Sequence, residues 1–283
     1  MAEYRKITRI TKAENVSDGA GVAIQRLIGF YEKNEFDPFL LLDYFGSDKE
    51  SQYISGFPWH PHRGIETVTF MIKGSVEHGD SMGNKGLLKS GDVQWMTAGS
   101  GIIHQEMPQY SPEGNFGFQL WVNLPKSHKM MPPRYQDVPA ETIPEIMTSD
   151  GTKVRVIAGG FQGTTGPVRD IICDPLYLYV EVPANSEFEM DLKIGHTFFI
   201  AVSDGTGFFD TDDGVKSVKA LSLVLFGDGD KVKVTTKDEK LSFIAISGKP
   251  LKEPVAWRGP IVMNTEEELM TAFREYRDGT FIK

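Results

Sequence analysis

Residues 56–66 read GFPWHPHRGIE, and residues 91–106 read GDVQWMTAGSGIIHQE. The first stretch contains the triplet His60-Pro61-His62 and the second contains the triplet His104-Gln105-Glu106. In a β-strand, residues i and i+2 point to the same face, so each triplet presents two metal-binding side chains to one spot. Three imidazoles and one carboxylate suit a divalent transition metal and leave positions open for solvent or substrate.

The sequence around both triplets is typical of short antiparallel strands joined by tight turns. The run TVTFMI at 67–72 follows the first triplet and is closed by Gly74, and glycines also bracket the second triplet. Short apolar runs separated by turn residues continue along most of the chain, which favours an all-β sandwich or barrel over a parallel α/β sheet. The predicted strands are 22–24, 67–72, 92–96, 117–123, 153–158, 176–182, 197–202, 221–225, 231–235 and 242–246.

One helix is predicted, near the C-terminus. Thr265 with Glu268 fits a capping box, which places the helix start there. An apolar stripe at helical spacing follows and is not expected to face water, so the helix should pack against the first barrel. The stripe consists of Leu269, Ala272, Phe273 and Tyr276.

Composition narrows the class of protein. With 283 residues, two domains are expected, and 30 Lys+Arg against 39 Asp+Glu give a net charge of −9. This acidity disfavours direct nucleic-acid binding, which needs a basic surface. The single cysteine, Cys173, excludes an intrachain disulfide, lies in an apolar stretch and is interpreted as buried packing. No signal peptide or membrane-length apolar run is seen, so a cytoplasmic location without membrane contact is expected.

The second half resembles a weak repeat of the first. Superposing glycine turns of the two halves aligns their strands and suggests a second β-barrel that lacks the ligand set. A lysine at one of the former ligand positions would repel a cation. The residues that this alignment places opposite the metal-binding triplets and Glu66 are Asp191, Lys193, Thr197, Ser242 and Ile244.

A His-x-His, a Glu a few residues on, a glycine-closed spacer and a later His together resemble the two-part cupin motif. Longer strings resemble the pirin family, whose members are bicupins with metal in the N-terminal barrel only. These strings are DPFLLLD at 37–43, HPHRG at 60–64, QWMTAG at 94–99, GIIHQEMP at 101–108, QLWVNLP at 119–125, EPV at 253–255 and GPIVMNT at 259–265.

Pattern and resemblance together predict four segments. Residues 1–125 form a metal-binding cupin barrel and residues 126–152 form a linker. Residues 153–250 form a metal-free cupin barrel. Residues 251–283 form a C-terminal segment whose helix packs back on the first barrel.

The resemblance implies that His60, His62, His104 and Glu106 bind one divalent metal. Iron as Fe²⁺ is the metal implied, with Zn, Mn, Ni and Cu as alternatives. The implied activity is that of a quercetin 2,3-dioxygenase, which opens a flavonol or similar enediol with dioxygen. Glu106 would be the catalytic base that takes a substrate hydroxyl proton. The alternative is a non-catalytic, metal-dependent, protein-binding regulator of transcription or metabolism, whose partner is a protein rather than a small aromatic molecule.

Several residues have two interpretations. Glu66 stands four residues after His62, where many cupins have a metal ligand, although the pirin pattern favours Glu106. Arg63 is a candidate either for holding an anionic group or for a structural salt bridge. His78 is expected beside the metal rather than on it, and two other histidines, His128 and His196, in turns or at the surface. The candidates for either pocket lining or core are Trp95, Met96, Phe118, Leu120 and Trp121.

Overall fold

The structure is a computed structural model that describes residues 3–32, 34–211 and 214–283. Its regular structure in these ranges is almost entirely β. The strands are β1 (Ile7–Lys12), β2 (Glu14–Asp18), β3 (Val22–Ile28), β4 (Phe39–Ser47), β5 (Phe57–His62), β6 (Ile65–Lys73), β7 (Ser75–Asp80), β8 (Lys85–Lys89), β9 (Val93–Thr97), β10 (Ile102–Pro108), β11 (Asn115–Asn123), β12 (Arg134–Val138) and β13 (Glu145–Met147). They continue with β14 (Lys153–Ala158), β15 (Gly160–Phe161), β16 (Thr164–Thr165), β17 (Leu176–Val182), β18 (Glu187–Asp191), β19 (Thr197–Asp204), β20 (Thr206–Thr211), β21 (Gly214–Lys219), β22 (Ser222–Phe226), β23 (Lys231–Thr235), β24 (Leu241–Gly248), β25 (Ala256–Arg258) and β26 (Ile261–Met263).

The α-helix of the described ranges is α1 (Glu266–Arg277), and three 3₁₀ turns lie at Phe30–Glu32, Glu50–Gln52 and Ala140–Thr142. All ten predicted strands are present, with ends shifted by a few residues, so the predicted all-β fold class is confirmed. The period-two burial that marks a half-buried strand is clear in β10, whose residues alternate between buried and half-buried. In the described ranges, no helix is both long enough and apolar enough to cross a membrane.

The chain divides into two compact units. Asn15–Ala140 with Leu251–Lys283 form one, here called the N-terminal unit. The described part of Met1–Glu14 with Glu141–Pro250 forms the other, the C-terminal unit. Strand β1 pairs with β22, so it belongs to the C-terminal unit, whereas the sequence analysis assigned residues 1–125 to the first barrel. An edge strand carries no local signal of which sheet it joins.

Two large antiparallel sheets build the N-terminal unit, to which the two-stranded sheet of β25 and β26 also belongs. The larger has the order β12-β9-β6-β11-β4-β3-β2, and the smaller has the order β5-β10-β7-β8. One apolar cluster draws side chains from both sheets, including Ile24 and Met71 from the larger and Val76 and Leu88 from the smaller. The two sheets therefore share a core, as in a β-sandwich or barrel.

The C-terminal unit repeats the two large sheets strand for strand. Its sheets have the orders β1-β22-β19-β24-β17-β14-β13 and β18-β23-β20-β21. By position in the sheets, β18 corresponds to β5, and β23 corresponds to β10. The predicted internal repeat is therefore present, although half of the alignment proposed for it was wrong.

The wrong half concerns the strand that corresponds to β10. The sequence alignment placed Ser242 and Ile244 there, but these residues lie on β24, which corresponds to β11. Asp191 and Lys193, also aligned with ligand positions, have mostly exposed side chains. The interior positions of β18 and β23 carry apolar side chains of the unit's core, which offer neither imidazole nor carboxylate. They are Phe188, Met190, Val232 and Val234.

Residues 126–152, predicted as a linker, contain two edge strands. Strand β12 pairs with β9 in the N-terminal unit, and β13 pairs with β14 in the C-terminal unit. Edge strands are short and bury little, so their apolar pattern is weak. Cys173 is buried, in agreement with its interpretation as packing.

The helix begins at the predicted position. The Thr265 hydroxyl accepts from the Glu268 N–H, and the Glu268 carboxylate accepts from the Thr265 N–H, which completes the capping box. Leu269 and Ala272 are buried against Phe281 and the β25–β26 hairpin. Tyr276, at the end of the predicted stripe, is 40% exposed. Helix α1 and the strands with the histidine triplets belong to the same compact unit.

Candidate metal centre

Strands β5 and β10 bring three histidines to one place in the N-terminal unit. The strands are antiparallel neighbours, and His60 lies directly opposite His104. Side chains opposite each other in such a pair have Cβ atoms about 5 Å apart. His62 lies two residues beyond His60 and therefore on the same face. A two-residue spacing on one strand and a cross-strand pair are sufficient to gather all three rings.

The three imidazoles are close enough to share one ion. Their ring centroids are separated by 4.4 Å for His60 and His104, 4.9 Å for His60 and His62, and 5.0 Å for His62 and His104. One ligand nitrogen from each ring lies within 4.8 Å of the other two. The Nε2 atoms of His60 and His62 are 3.1 Å apart. Two nitrogens that bind one metal side by side, each at about 2.1 Å, have a similar separation.

Backbone carbonyls fix which nitrogen two of the rings present. Nδ1–H of His60 donates to the Pro58 carbonyl at 2.9 Å, and Nδ1–H of His62 donates to the Pro260 carbonyl at 3.1 Å. Each ring is thereby held in the tautomer that leaves Nε2 as an electron-pair donor. This second-sphere arrangement is common for metal-bound histidines.

The lack of hydrogen-bond partners for the His104 ring supports a metal site. The ring is buried, and neither ring nitrogen has a hydrogen-bond partner among the residues that the structure describes. Such an orphaned buried polar group calls for an explanation. Burial lowers the pKa of His104 and of His62 well below the usual value for histidine, so both rings are neutral at physiological pH, as metal ligands must be. The residues present therefore fit a divalent metal.

Glu106, the fourth predicted ligand, lies beside the three imidazoles but outside the group defined by their mutual distances. An irregularity in the β5–β10 pairing falls between His104 and Glu106, so Glu106 lies opposite Phe57 rather than Pro58. The Gln119 amide donates to Glu106 Oε2 at 3.1 Å, and the Thr69 hydroxyl lies 3.0 Å from Glu106 Oε1. Glu106 and two of the histidines line the same cavity.

Glu66, the competing carboxylate, has a different environment. It is buried, and its Oε1 accepts from the Thr97 hydroxyl at 2.7 Å. Thr69 on the same strand lines the cavity with Glu106, and residues three apart on a strand point to opposite faces. The structure thus places Glu66 away from the histidines, where burial raises its pKa.

The other histidines lie outside the cluster. His78 is buried opposite Glu106 on β7, with its ring centroid 5.5 Å from that of His104. His78 is not part of the group of three nitrogens that could share one ion, in line with the expectation of a neighbouring rather than a binding residue. His128 and His196 are half-buried.

A cavity of about 530 Å³ adjoins the cluster. This volume is within the range of small-molecule sites. Of the five pocket candidates from the sequence, Trp121 lines the cavity, and its ring centroid is 5.0 Å from that of His62. The other four are fully buried core residues. Trp257 and Phe30, which the sequence analysis missed, extend the aromatic wall, with centroids 5.9 Å from Trp121 to Trp257 and 5.3 Å from Trp257 to Phe30.

Arg63, next to His62, has the structural role. Its guanidinium is buried and donates to the Ser100 carbonyl, to Glu275 Oε2 and to the Phe281 carbonyl, at 2.6, 2.6 and 2.8 Å. It is not among the cavity-lining residues of the described ranges. Arg63 therefore ties the C-terminal residues to the strand that carries two candidate ligands.

Lys129 makes a second such connection. Its buried ammonium donates to the carbonyls of Gly64 and Val262 and to Asn123 Oδ1, at 2.9, 3.0 and 2.7 Å. These three oxygens match the three N–H groups of a charged lysine. Burial nevertheless lowers the pKa of Lys129 to about 7. The residue thus holds the turn after His62 against β26.

The lowered pKa of Lys129 predicts a pH-dependent stability. Between about pH 7 and pH 10.5 the unfolded chain binds a proton that the folded chain releases, so the contribution of Lys129 to stability increases with pH. From pH 7 to pH 9 we expect the unfolding free energy of the wild type to rise relative to Lys129→Met by about 2 kcal/mol. Urea denaturation of both proteins at the two pH values measures this difference. An unchanged difference would show that the three acceptors keep Lys129 charged.

Comparison with known proteins agrees with this architecture. A family model described as Pirin matches residues 21–122, and one described as Pirin C-terminal cupin domain matches residues 177–282. The chain is 42% identical over 278 residues to a pirin-like protein of Caulobacter vibrioides, a match that covers 98% of this chain and 99% of that protein. It is 40% identical over 280 residues to the pirin of Homo sapiens, which covers 98% of this chain and 94% of that protein.

A solved structure matches the fold of this chain over nearly its whole length. The crystal structure of a quercetin 2,3-dioxygenase from Acinetobacter baumannii has a TM-score of 0.89 at 31% identity and covers 99% of both chains. The predictions of two cupin-type domains and of a resemblance to pirins are thereby confirmed. Since family models match both halves of the chain and full-length relatives exceed 40% identity, the chain belongs to the pirin family.

Proposed function

We propose that this chain is a metal-dependent dioxygenase of the quercetin 2,3-dioxygenase type, which opens the ring of a flavonol or a similar enediol. In this proposal His60, His62 and His104 hold one Fe²⁺, with Glu106 as fourth ligand and base. The observation that carries the proposal is that three imidazoles gather at one place, and that two of them, His60 and His62, line a cavity together with Glu106. The likeness to the dioxygenase from A. baumannii supports the assignment.

The chain's own residues supply three functions for this reaction. A divalent metal at the three imidazoles would acidify a substrate hydroxyl. Glu106 accepts the proton of that hydroxyl, and its carboxylate is kept in place by Gln119. The aromatic wall of Trp121, Trp257 and Phe30 packs against the flat rings of the substrate and excludes water from the reacting end.

Metal content and oxygen uptake test the proposal together. We expect one iron per chain in protein prepared anaerobically with iron, because the described residues contain one group of three suitable ligands. Adding a flavonol and dioxygen should then give uptake of one dioxygen per flavonol consumed. Chelation should abolish the uptake, and iron should restore it.

Two outcomes would contradict this expectation. Two metals per chain would mean that a second site had been overlooked. A fully loaded chain that takes up no oxygen with any flavonol would refute catalysis and favour the metal-dependent protein-binding alternative. Metal-dependent capture of one defined protein partner would then be the measurement to make.

A further inference from the structure

A row of polar side chains crosses the inner face of the larger sheet of the N-terminal unit. Arg26 on β3 lies opposite Asp43 on β4, which lies opposite Gln119 on β11, which lies opposite Thr69 on β6. All four side chains line the cavity. Adjacent strands are about 4.8 Å apart, so the row from Arg26 to Thr69 spans about 14 Å. Gln119 and Thr69, at one end, contact Glu106.

The other end of the row is an ion pair. Arg26 Nε donates to Asp43 Oδ1 at 2.9 Å and Arg26 Nη2 donates to Asp43 Oδ2 at 2.8 Å, a bidentate contact. The Asp43 side chain is 8% exposed and that of Arg26 is 27% exposed. Burying such a pair is costly, and apolar residues of similar size are often no less stable. An ion pair kept in the wall of the cavity that also adjoins the candidate metal centre therefore points to ligand recognition.

The charges around Arg26 determine which chemical group of a ligand this end of the cavity can bind. Asp18 Oδ2 also accepts from Arg26 Nη2, at 3.1 Å, so two carboxylates surround one guanidinium. The local charge is negative, which disfavours a carboxylate or phosphate on the ligand. Nη1 of Arg26 has no acceptor among the described residues and is available to donate. A carboxylate that accepts beside a guanidinium that donates matches two neighbouring hydroxyls.

We propose that Arg26 and Asp43 form a distal subsite that binds a pair of neighbouring hydroxyls on the ring of the substrate farthest from the metal. Asp43 accepts from one hydroxyl, and Arg26 Nη1 donates to the oxygen of the other. Glu106 and the histidines then receive the opposite end of the same molecule. The substrate is thus an elongated polyphenol rather than a small enediol. This inference rests on the proposed function, because it concerns the same cavity.

Binding measured without oxygen tests the subsite separately from catalysis. The probes are quercetin, which carries two neighbouring hydroxyls on its pendant ring, and the analogue without those two hydroxyls. Two of the chain's four tryptophans line the cavity, so quenching of their fluorescence reports binding to the metal-loaded chain. A hydrogen bond to a charged group is worth about a tenfold change in affinity or more. We expect the wild type to bind quercetin at least tenfold more tightly than the analogue.

The variant Arg26→Leu with Asp43→Leu removes both charges of the buried pair together, and the one carboxylate that loses a partner, Asp18, is 56% exposed to solvent. Its preference for quercetin should fall to less than threefold, while its affinity for the analogue stays within threefold of the wild type. The control is Lys233→Met, which removes a cation paired with Glu187 and Asp210 in the C-terminal unit and should keep the full preference. A double variant that retains the tenfold preference would overturn the subsite.

If the double variant does not fold, the affinities of the wild type for quercetin and for the analogue still test the subsite. Equal affinities for the two flavonols would overturn the subsite, even if oxygen uptake showed that the proposed function is right. A tenfold preference without any oxygen uptake would support the subsite and refute the dioxygenase. The two proposals therefore fail by different measurements.

Discussion

His104→Ala is expected to lower the affinity of the chain for its metal by at least 100-fold while leaving the fold intact. His104 is buried beside the other two imidazoles, and the described residues offer neither of its nitrogens a hydrogen bond. Losing an outer-sphere partner of a ligand already costs about 10–100-fold in metal affinity, so losing the ligand should cost more. The N-terminal unit has its own apolar core and should not depend on metal for folding.

The measurement for His104→Ala is metal content by elemental analysis, with circular dichroism as the check on folding. His128→Ala is the matched control, because it removes a half-buried histidine outside the cluster. It should retain wild-type metal content. Full retention of metal by His104→Ala would refute the proposed site.

Glu106→Gln is expected to reduce flavonol turnover by about 10²–10⁴-fold, the usual contribution of a general base. The amide keeps the size of the side chain and can accept a hydrogen bond, but it cannot take the proton of a substrate hydroxyl. Some metal should remain bound, because the three imidazoles are unchanged. Oxygen uptake at saturating flavonol, normalised to bound iron, measures the effect.

Glu66→Gln provides the comparison for Glu106→Gln. Glu66 is also a buried carboxylate, and it accepts a hydrogen bond from Thr97. It lies on the face of β6 opposite to that of Thr69 and therefore points away from the cavity. Its replacement should change turnover by much less than tenfold. If Glu66→Gln abolished turnover and Glu106→Gln did not, the roles of the two carboxylates would be the reverse of those proposed.

Local patterns were sufficient to predict the strands and the meeting of the three histidines. Period-two alternation identifies a strand, and a His-x-His on one strand needs only one neighbour to complete a three-nitrogen group. The sequence could not show that the Pro260 carbonyl would meet His62, since 198 positions separate the two residues. The same holds for Arg26 and Asp43, which become partners only through the pairing of β3 with β4.

An offset of one strand explains the error in the second half. Gly91 precedes β9, whereas Gly229 precedes β23, which corresponds to β10, so aligning these two glycines paired strands that are not equivalent. The sequence alignment placed Ser242 in the strand equivalent to β10, whereas the sheet order shows that β23 is that strand. The interior residues of β23 are apolar, so nothing in their chemistry marks them as equivalents of metal ligands. Chemically distinctive residues, such as the histidines of β5, are easier to place.

The ties between the C-terminal segment and the strands of the candidate centre bear on when the centre forms during translation. Pro260, which orients His62, and Glu275, which neutralises the buried Arg63, are made only after the whole of the C-terminal unit. A nascent chain that has completed β5 and β10 still lacks both partners, so the His62 ring is not held in one tautomer and the Arg63 charge is unpaired. Within the proposed function, an oriented centre is therefore complete only after residues 251–283 have been synthesised and have packed against the strands of the triplets.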